Sequence, residues 1–570
     1  MSSAIWLAPE LDEALVHNLA SGVGVSEVVA RILVNRGVTT AAQARAFLSP
    51  SLDDLHDPAL LPDIEPAVER TARALEAGEK ILVHGDYDVD GVTSTALLIR
   101  VLSKLGANVV HRIPHRVREG YDIKPYTADE AKAEGVSLII TADCGVTACE
   151  TIERAQSMGI DIVVTDHHTP GEHLPQAVAV VDPMRRDSAY PFPYLAGVGV
   201  ALKFAQALVR RVGHDGRKFI ERYLDFAALG TITDVMPLID ENRVLARFGL
   251  EAMAKSKKVG LQAMLARAGL SRRRLTAYHV GFILGPRINA VGRLDDAAAA
   301  LELLLTSDRE KADELAEVLE RRNEERQAEQ ARILEEVRTL LQEKDLEACR
   351  AIVLSRPGWN SGIVGIAASR VVEEYGRPAV LLSVDEETGV AHGSARSIEA
   401  FNMIEALGEC RDVLDRAGGH ALAAGLSLKA EKLQEFETKL NEVASEVIKP
   451  EDLVPKIAID GEVAPEEVSW QLLREIRQLE PFGMGNPEPL FVSSGVQVVD
   501  ARRVGGDGSH LKLRVGSVKG PLDCIAFGMG DLEPSVQLGR KIDLCYNIRA
   551  NSYNGYDSLQ LAVRDLRGEV

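Results

Sequence analysis

The sequence predicts an α/β protein with two sheet-bearing lobes and a small β-barrel, and three observations carry that expectation. First, from about residue 80 short apolar runs alternate with amphipathic stretches: KILVHGDYD, STALLIRVLSKLG, NVVHRIP, SLIITADCG, IDIVVTDHH and AVAVVDP. Apolar runs of roughly four to six residues separated by helical segments are the pattern of a doubly wound parallel sheet, whose strands are buried on both faces. Second, residues 306–348 hold neither Gly nor Pro and are dense in Glu, Arg, Leu and Ala, which predicts one long solvated helix. Third, after about residue 452 the chain turns β-rich, with five or six short strands in the last stretch, as in a small barrel of the OB type.

Taken in order, residues 1–60 read as an N-terminal helical extension, broken near Ser21–Gly24 and ending in a loop at Pro50. Residues 61–305 form the first α/β domain. Several of its apolar runs end in acids at the strand's C-terminal end, where open α/β sheets place their sites. Residues 306–348 connect the lobes. Leu315, Val318, Leu319, Ile333, Val337, Leu340 and Leu341 give only an interrupted apolar stripe, which suits a spacer between lobes better than a free coiled coil. Residues 349–451 make a second α/β unit, with strands at AIVLSR and AVLLSV and the glycine-rich RAGGHALAAGLSL. Residues 452–570 are the barrel, with Asn554-Gly555 as a hairpin signal between its last two runs.

Composition excludes several classes. With 46% hydrophobic and 26% charged residues in 570, the chain is not disordered, and no run of about 18 apolar residues can span a membrane. The N-terminus has acids where a signal peptide needs basic and apolar stretches, so a cytoplasmic protein is expected. Six scattered cysteines without a C-x-x-C pair support neither a zinc ribbon nor a disulfide framework. A net charge of −20 argues against nucleic acid only weakly, because a basic cleft can sit between acidic outer faces.

The chemistry-bearing residues cluster. VHGDYDVDGVTST puts His84, Asp86, Asp88 and Asp90 within seven positions directly after a strand. One Asp there would be a helix N-terminus favoured by the macrodipole; three with a His repel one another unless a cation neutralises them. The EF-hand loop spacing and its terminal Glu are missing. Asp143 in LIITADCG and Asp166-His167-His168 in IVVTDHH also stand at strand ends. Alone, each reads as a helix cap or surface histidines. Three successive strands delivering Asp or His to one sheet edge suit two Mn²⁺ or Mg²⁺ ions. Asp234 in LGTITDVMPL is a further contributor, since an unpaired carboxylate in an apolar segment is costly. GPRINAVGR offers Arg287, Asn289 and Arg293, and HGSARS offers Ser394 and Arg396. Arg293 and Arg396 stand out for their glycine- or serine-rich, weakly charged settings, whereas Arg272–Arg274 read as surface. In the barrel, Phe527, Tyr546, Tyr553 and Tyr556 lie among Arg502, Arg503, Lys512, Lys519 and Arg549, a set that suits base stacking with phosphate tracking but in which core rings are also expected.

HGDYDVDG, TADCG, TDHH and GTITDVMPL, in that order, resemble the motifs of the DHH phosphoesterase family. LAGVGVA, GFILGPRINAVGRLDDA, HGSARS, AGGHALAAGL and EPFGMGNPEPLF extend the resemblance over essentially the whole chain, toward the family's bacterial single-strand-specific exonucleases. The resemblance implies a DHH-type parallel-sheet domain joined by a long helix to a DHHA1 α/β domain, followed by an OB-fold-like β-barrel. It implies one metal on His84, Asp88 and Asp143 and a second on Asp90, Asp143, His167 and Asp234, with Asp143 bridging. Asp86 is an extra acid, either a direct ligand or one shell out. His168 would face the scissile phosphate as donor or general acid, so His168 and Asp143 are the implied catalytic pair. Arg116 is the implied phosphate contact within HRIPHRVREGY, and Gly419 and His420 of AGGH resemble the DHHA1 substrate-binding element. Paired divalent ions about 4 Å apart activate water and clamp attacking and leaving oxygens.

The expected activity is 5′-to-3′ degradation of single-stranded DNA to 5′-mononucleotides, in DNA repair and recombination. The polarity and the preference for DNA come from the resemblance alone. A monomer is expected, with a single-strand-binding protein and a helicase as partners. A DHH phosphodiesterase for short oligonucleotides or cyclic dinucleotides would leave the barrel and N-terminal extension unexplained. A dead scaffold that binds single-stranded DNA would have lost ligands that are all present here, and a pyrophosphatase would need no barrel.

Overall fold

The computed structural model describes residues 4–116, 118–294, 297–346, 349–553 and 556–568. The first sheet has five strands in the order Asn108–Arg112, Lys80–Gly85, Leu138–Ala142, Asp161–Thr165 and Ala179–Val181, all parallel. Alternation across the pleat explains why its strands read as continuous apolar runs. Ile81, Val83, Leu138 and Ile140 join one core, while Leu82, Ile139, Ile162 and Val164 join another on the opposite face. The first core is covered by the helices Val89–Lys104, Gly197–Arg211 and Gly216–Thr233. The second is covered by Pro125–Ala133 and Cys149–Ser157.

The long helix runs from Arg309 to Gln342, 34 residues capped by Asp308, whose carboxylate accepts from the Glu310 and Lys311 amides. Its interrupted stripe divides between lobes: Ala312, Ala316 and Leu319 pack into the first, Ile333, Val337 and Leu341 into the second. The second lobe holds a mixed five-stranded sheet in the order Arg416–Gly419, Ala423–Lys429, Val390–Arg396, Ala379–Asp385, Ile352–Pro357.

In the C-terminal module, Phe491–Val504, His510–Val515, Leu522–Ala526, Tyr556–Gly568 and Lys541–Tyr553 pair in sequence, and the last closes onto the first through Phe491 opposite Tyr546. Only Leu522–Ala526 and Tyr556–Gly568 run parallel in this ring, which is the five-stranded OB arrangement. Tyr546 is a core ring whose hydroxyl meets Ser493 Oγ at 2.7 Å, whereas Phe527 is exposed. The Asn554-Gly555 turn lies outside the described residues.

The N-terminal segment is helical at Glu13–Val23, Glu27–Asn35 and Ala41–Leu48, but it also contains a strand, Ile5–Leu7, parallel to Lys456–Ala458. Its helices share one core with the barrel. The two ends of the chain therefore form one packing unit, docked on the first domain through Arg243. That buried guanidinium donates to the carbonyls of Phe47, Leu479, Gln478 and Glu480 at 2.8–3.0 Å. Burial, then the charges of Arg247 and Arg36, push it down to about 9 against the pull of Glu480.

Among the described residues no helix is long and apolar enough to cross a membrane.

Candidate metal centre

The ligand candidates reach one sheet edge from the ends of parallel strands, from the helix that follows the first of them, and, for Asp234, from the end of a covering helix. His84 is the penultimate residue of Lys80–Gly85, and Asp88 caps the next helix by accepting from the Gly91 amide at 3.0 Å. Asp90, in that helix's first turn, is held by the N-terminus of Gly197–Arg211, accepting from the Gly197 and Val198 amides at 2.6 and 2.9 Å. Asp143 follows Leu138–Ala142 at φ 65°, a left-handed conformation that non-glycine residues adopt at a cost and that concentrates at functional sites. Asp234 closes the helix Gly216–Thr233.

His167 Nε2 lies 3.0 Å from Asp143 Oδ1, 3.6 Å from Asp234 Oδ2 and 3.9 Å from Asp90 Oδ2. Three donor sets have their ligand atoms within 4.8 Å of one another: Asp86, Asp88 and Asp143; Asp90, His167 and Asp234; Asp143, His167 and His168. Asp143 thus belongs to two neighbouring groups that, with the third, contain six of the seven expected ligands. His84 joins none of these sets, although both its ring nitrogens are buried without a hydrogen-bond partner.

Burial and then mutual repulsion raise the carboxyls: Asp90 to about 7, and Asp86, Asp143 and Asp234 well above the carboxylate range. Burial holds His84 near about 3 and His167 near about 4, so both are neutral imidazoles, the form that ligates metal. Buried repelling acids beside neutral histidines, with Asp86 Oδ1 and both His84 nitrogens unpartnered, are a donor set that fits hard divalent cations.

His168 differs. Burial would lower it, but its Nδ1, 2.8 Å from Asp166 Oδ1, is raised by that carboxylate and other acids to about 9. Its partner Asp166 is lowered despite burial, because the His168 ring and the Val146 amide hydrogen-bond to it. The Tyr121 hydroxyl lies 2.9 Å from the same Nδ1. With Nδ1 engaged, Nε2 is the nitrogen left to face a substrate. Neither Asp166 as anchor nor Tyr121 was singled out from the sequence; Tyr121 sits five residues beyond Arg116 in a loop with no periodic signal.

Glycine sets the closeness of this edge. A Cβ at Gly197 would fall 2.6 Å from Asp143 Oδ1, and one at Gly230 would fall 2.5 Å from Asp90 Oδ1. Gly197→Ala is expected to weaken Mn²⁺ binding about 10- to 100-fold by displacing Asp143, as seen for residues that support metal ligands. Isothermal titration with Mn²⁺ checks this, and wild-type affinity would refute it.

Beside the centre the lobes bring basic groups together. Arg116 lies over the Tyr87 ring at 4.8 Å. Arg293 donates to the Gly362 carbonyl at 3.0 Å, and burial with the charges of Arg116, Arg326 and Arg396 brings it down to about 9. Arg396 donates to Ser394 Oγ at 2.7 Å. No carboxylate among the described residues forms a salt bridge with Arg116, Arg293 or Arg396, so the cluster concentrates positive charge between the lobes. Arg326, on the long helix, joins its field and went unnoticed in the sequence because it sits in a charged helical run. Arg287 is committed elsewhere: it donates to Glu320 at 2.6 and 2.9 Å, tying its helix to the long one. Asn289 is half-buried on that same helix, and Gly419 and His420 lie exposed at the tip of the hairpin Arg416–Gly419/Ala423–Lys429.

The chain matches the DHH family, N-terminal domain, over residues 80–231, the DHHA1 domain over 349–446 and the RecJ OB domain over 459–565. It is 38% identical over 560 residues to the single-stranded-DNA-specific exonuclease RecJ of Bacillus subtilis (strain 168), covering 98% of this chain and 70% of that protein. The crystal structure of RecJ in complex with Mn²⁺ from Thermus thermophilus superposes with a TM-score of 0.85 at 33% identity, covering 100% of this chain and 80% of that one. Its counterpart in complex with Mg²⁺ superposes at 0.80 and 32% identity, covering 100% and 79%.

Proposed function

We propose a division of labour among the residues above, starting from the fact that the chain belongs to the RecJ family of single-stranded-DNA-specific exonucleases. It is a metal-dependent hydrolase acting on single-stranded DNA, with Mn²⁺ or Mg²⁺ as its cofactor. The observation that carries the assignment of roles is the set of buried, mutually repelling carboxylates converging on Asp143.

His84, Asp88 and Asp143 would hold one ion, and Asp90, Asp143, His167 and Asp234 the other, with Asp86 beside the first. Two such ions supply an activated water and a clamp on the attacking and leaving oxygens when bound. Asp143, which belongs to two of the donor groups and sits at a left-handed backbone position, would contribute to holding both ions. His168, protonated and fixed at Nδ1 by Asp166, presents Nε2 to the scissile phosphate as hydrogen-bond donor. Arg116, Arg293, Ser394 and Arg396 bind the terminal phosphate of the strand between the lobes, and Asn289, Gly419 and His420 line its approach. Degradation runs from the 5′ end and releases 5′-mononucleotides, serving repair and recombination. The protein works as a cytoplasmic monomer fed by a helicase and a single-strand-binding protein.

The test is a nuclease assay with Mn²⁺ on 5′- and 3′-labelled single strands, beside a blunt duplex and a dinucleotide. Mononucleotides released from the 5′ end, with the duplex spared, support the reading; cleavage of the dinucleotide alone moves the protein to small-substrate phosphodiesterases. Arg396→Ala is expected to raise KM for a 5′-phosphorylated strand roughly 10- to 100-fold, the worth of a charge-assisted hydrogen bond. A strand with a 5′-hydroxyl should show much less change. Equal effects on both strands would remove Arg396 from the phosphate cradle.

A further inference from the structure

Two aromatic rings stand in solvent beside a basic cavity that none of the metal-edge residues lines. Tyr278 and Phe282 are 63% and 72% exposed, and they stack on each other with centroids 5.1 Å apart at 24°. Scattered exposed apolar residues need no explanation, but a stacked pair with nothing covering it does. Phe282 projects from a π-helical turn, His279–Leu284, that Tyr278 immediately precedes, and such turns occur mostly at functional positions. That turn runs directly into the helix Gly285–Leu294, which carries Asn289 and Arg293. Phe282 and Arg293 are eleven residues apart on this nearly continuous helix, about 16 Å at the helical rise.

On its other side Tyr278 borders a cavity of about 810 Å³ between the helix Asp240–Ala254 and the barrel. Arg247, Lys255, Arg477 and Arg564 line it without a salt bridge among the described residues, with Arg247 and Arg477 in the field of Glu480. Of its three acids, Glu480 and Glu488 are engaged by Arg274 and Arg549, and Glu251 has no salt bridge among the described residues, so six cations face three carboxylates. In a chain of net charge −20, this is a concentrated positive lining that leads from the rings to the barrel strands.

We propose that Tyr278 and Phe282 form a stacking platform for bases of the strand several nucleotides behind the one being cleaved, and that the adjoining cavity carries the phosphates of that stretch to the barrel. The proposal rests on the exonuclease reading and adds a subsite to it. Exposed rings beside cations that track a backbone are the chemistry of sequence-tolerant single-strand binding.

The test uses 5′-phosphorylated 20-mers carrying one abasic residue at successive positions, degraded by the full-length protein in Mn²⁺. With the wild-type protein, kcat/KM is expected to fall roughly tenfold when the abasic residue occupies one or two interior positions, the loss of one stacked base. The double variant Tyr278→Ala, Phe282→Ala should lose its preference for the intact strand at those positions, and the ratio of its kcat/KM on a 20-mer to that on a trinucleotide should drop by a similar factor. Damage to the fold or to the metal centre would lower both members of that ratio. Tyr278→Phe with Phe282→Tyr should restore the abasic response. An unchanged abasic response in the Ala variant, or no interior position that responds in the wild type, overturns the platform. Equilibrium binding of the same 20-mers, carrying a fluorescent label, is read in parallel. If the wild type degrades no strand, the exonuclease reading fails, while the abasic dependence of binding still decides the platform.

Discussion

Asp143→Asn is expected to lower Mn²⁺-dependent degradation of single-stranded DNA by more than about 1,000-fold while raising the melting temperature of the metal-free protein. The two effects share one cause. Asp143 belongs to two donor groups, so losing its charge weakens both ion sites and the clamp between them. In the metal-free protein the same carboxylate is a liability, since burial and the charges of Asp90, Asp88 and Asp234 raise it well above the usual range. A carboxyl whose folded-state pKa is raised destabilises the fold increasingly as pH climbs above its unfolded-state value, up to the folded-state value. At neutral pH, replacement by a neutral isostere removes that penalty. Asn is the right isostere because it tolerates the left-handed region that the backbone adopts here at φ 65°. Ala would add strain of about 1–2 kcal/mol and blur the stability readout. Adding Mn²⁺ at about 100 times its Kd should stabilise the wild type by roughly 2.7 kcal/mol and the variant far less. Thermal melts with and without Mn²⁺, beside the nuclease assay, decide the matter: activity above a tenth of wild type, or an undiminished Mn²⁺ shift, would remove Asp143 from the bridging position.

What made Asp143 visible in the sequence was position, not identity. An acid after a run such as LIITA stands at a sheet's carboxyl edge once the run is read as a parallel strand, and three such edges in order specify a site before any contact is known. The same reasoning reached Asp90 and His167. It did not reach Tyr121, whose hydroxyl meets His168 only because the loop after Asn108–Arg112 folds back across the edge. The glycine-rich setting marked out Arg293, but nothing in the sequence showed that Arg287, six residues earlier on the same helix, meets Glu320, since that depends on how the long helix packs. In the barrel, alternation alone could not tell buried Tyr546 from exposed Phe527. The N-terminal helices were legible as helices, but their partner was not. Ile5–Leu7 pairs with residues about 450 positions away, and a three-residue strand has no signature apart from that pairing.

That pairing governs how the barrel must be removed to learn what it does. Deleting residues 452–570 alone is expected to yield an aggregating protein, whereas a fragment spanning 51–451 should fold and keep its metal centre. In the intact chain Val16, Leu19, Val29, Ile32 and Leu33 of the N-terminal helices are buried with Val463, Leu472, Leu473, Leu479 and Phe491. Each such side chain loses about 1.5–3 kcal/mol of burial when its cover is taken away, and together they would form an apolar patch that seeks another surface. Starting the fragment at residue 51 keeps His56, whose amide donates to Glu241 Oε1 at 2.6 Å, and whose carbonyl accepts from buried Lys203 at 2.5 Å. Arg243 loses all four carbonyl partners in the fragment and becomes accessible to water, so its charge rehydrates at little cost. In the full chain Arg243→Met should instead cost on the order of 3 kcal/mol, because the carbonyls of Phe47, Leu479, Gln478 and Glu480 stay buried around an apolar side chain. Sedimentation and thermal melts of the two truncations separate these cases. If the single deletion proves as monomeric and as stable as the paired one, the shared core does not hold the ends together. With the paired fragment in hand, long single strands should bind at least about tenfold more weakly while very short ones are still cleaved. Equal losses on long and short strands would mean that the barrel supports the catalytic lobes rather than the strand.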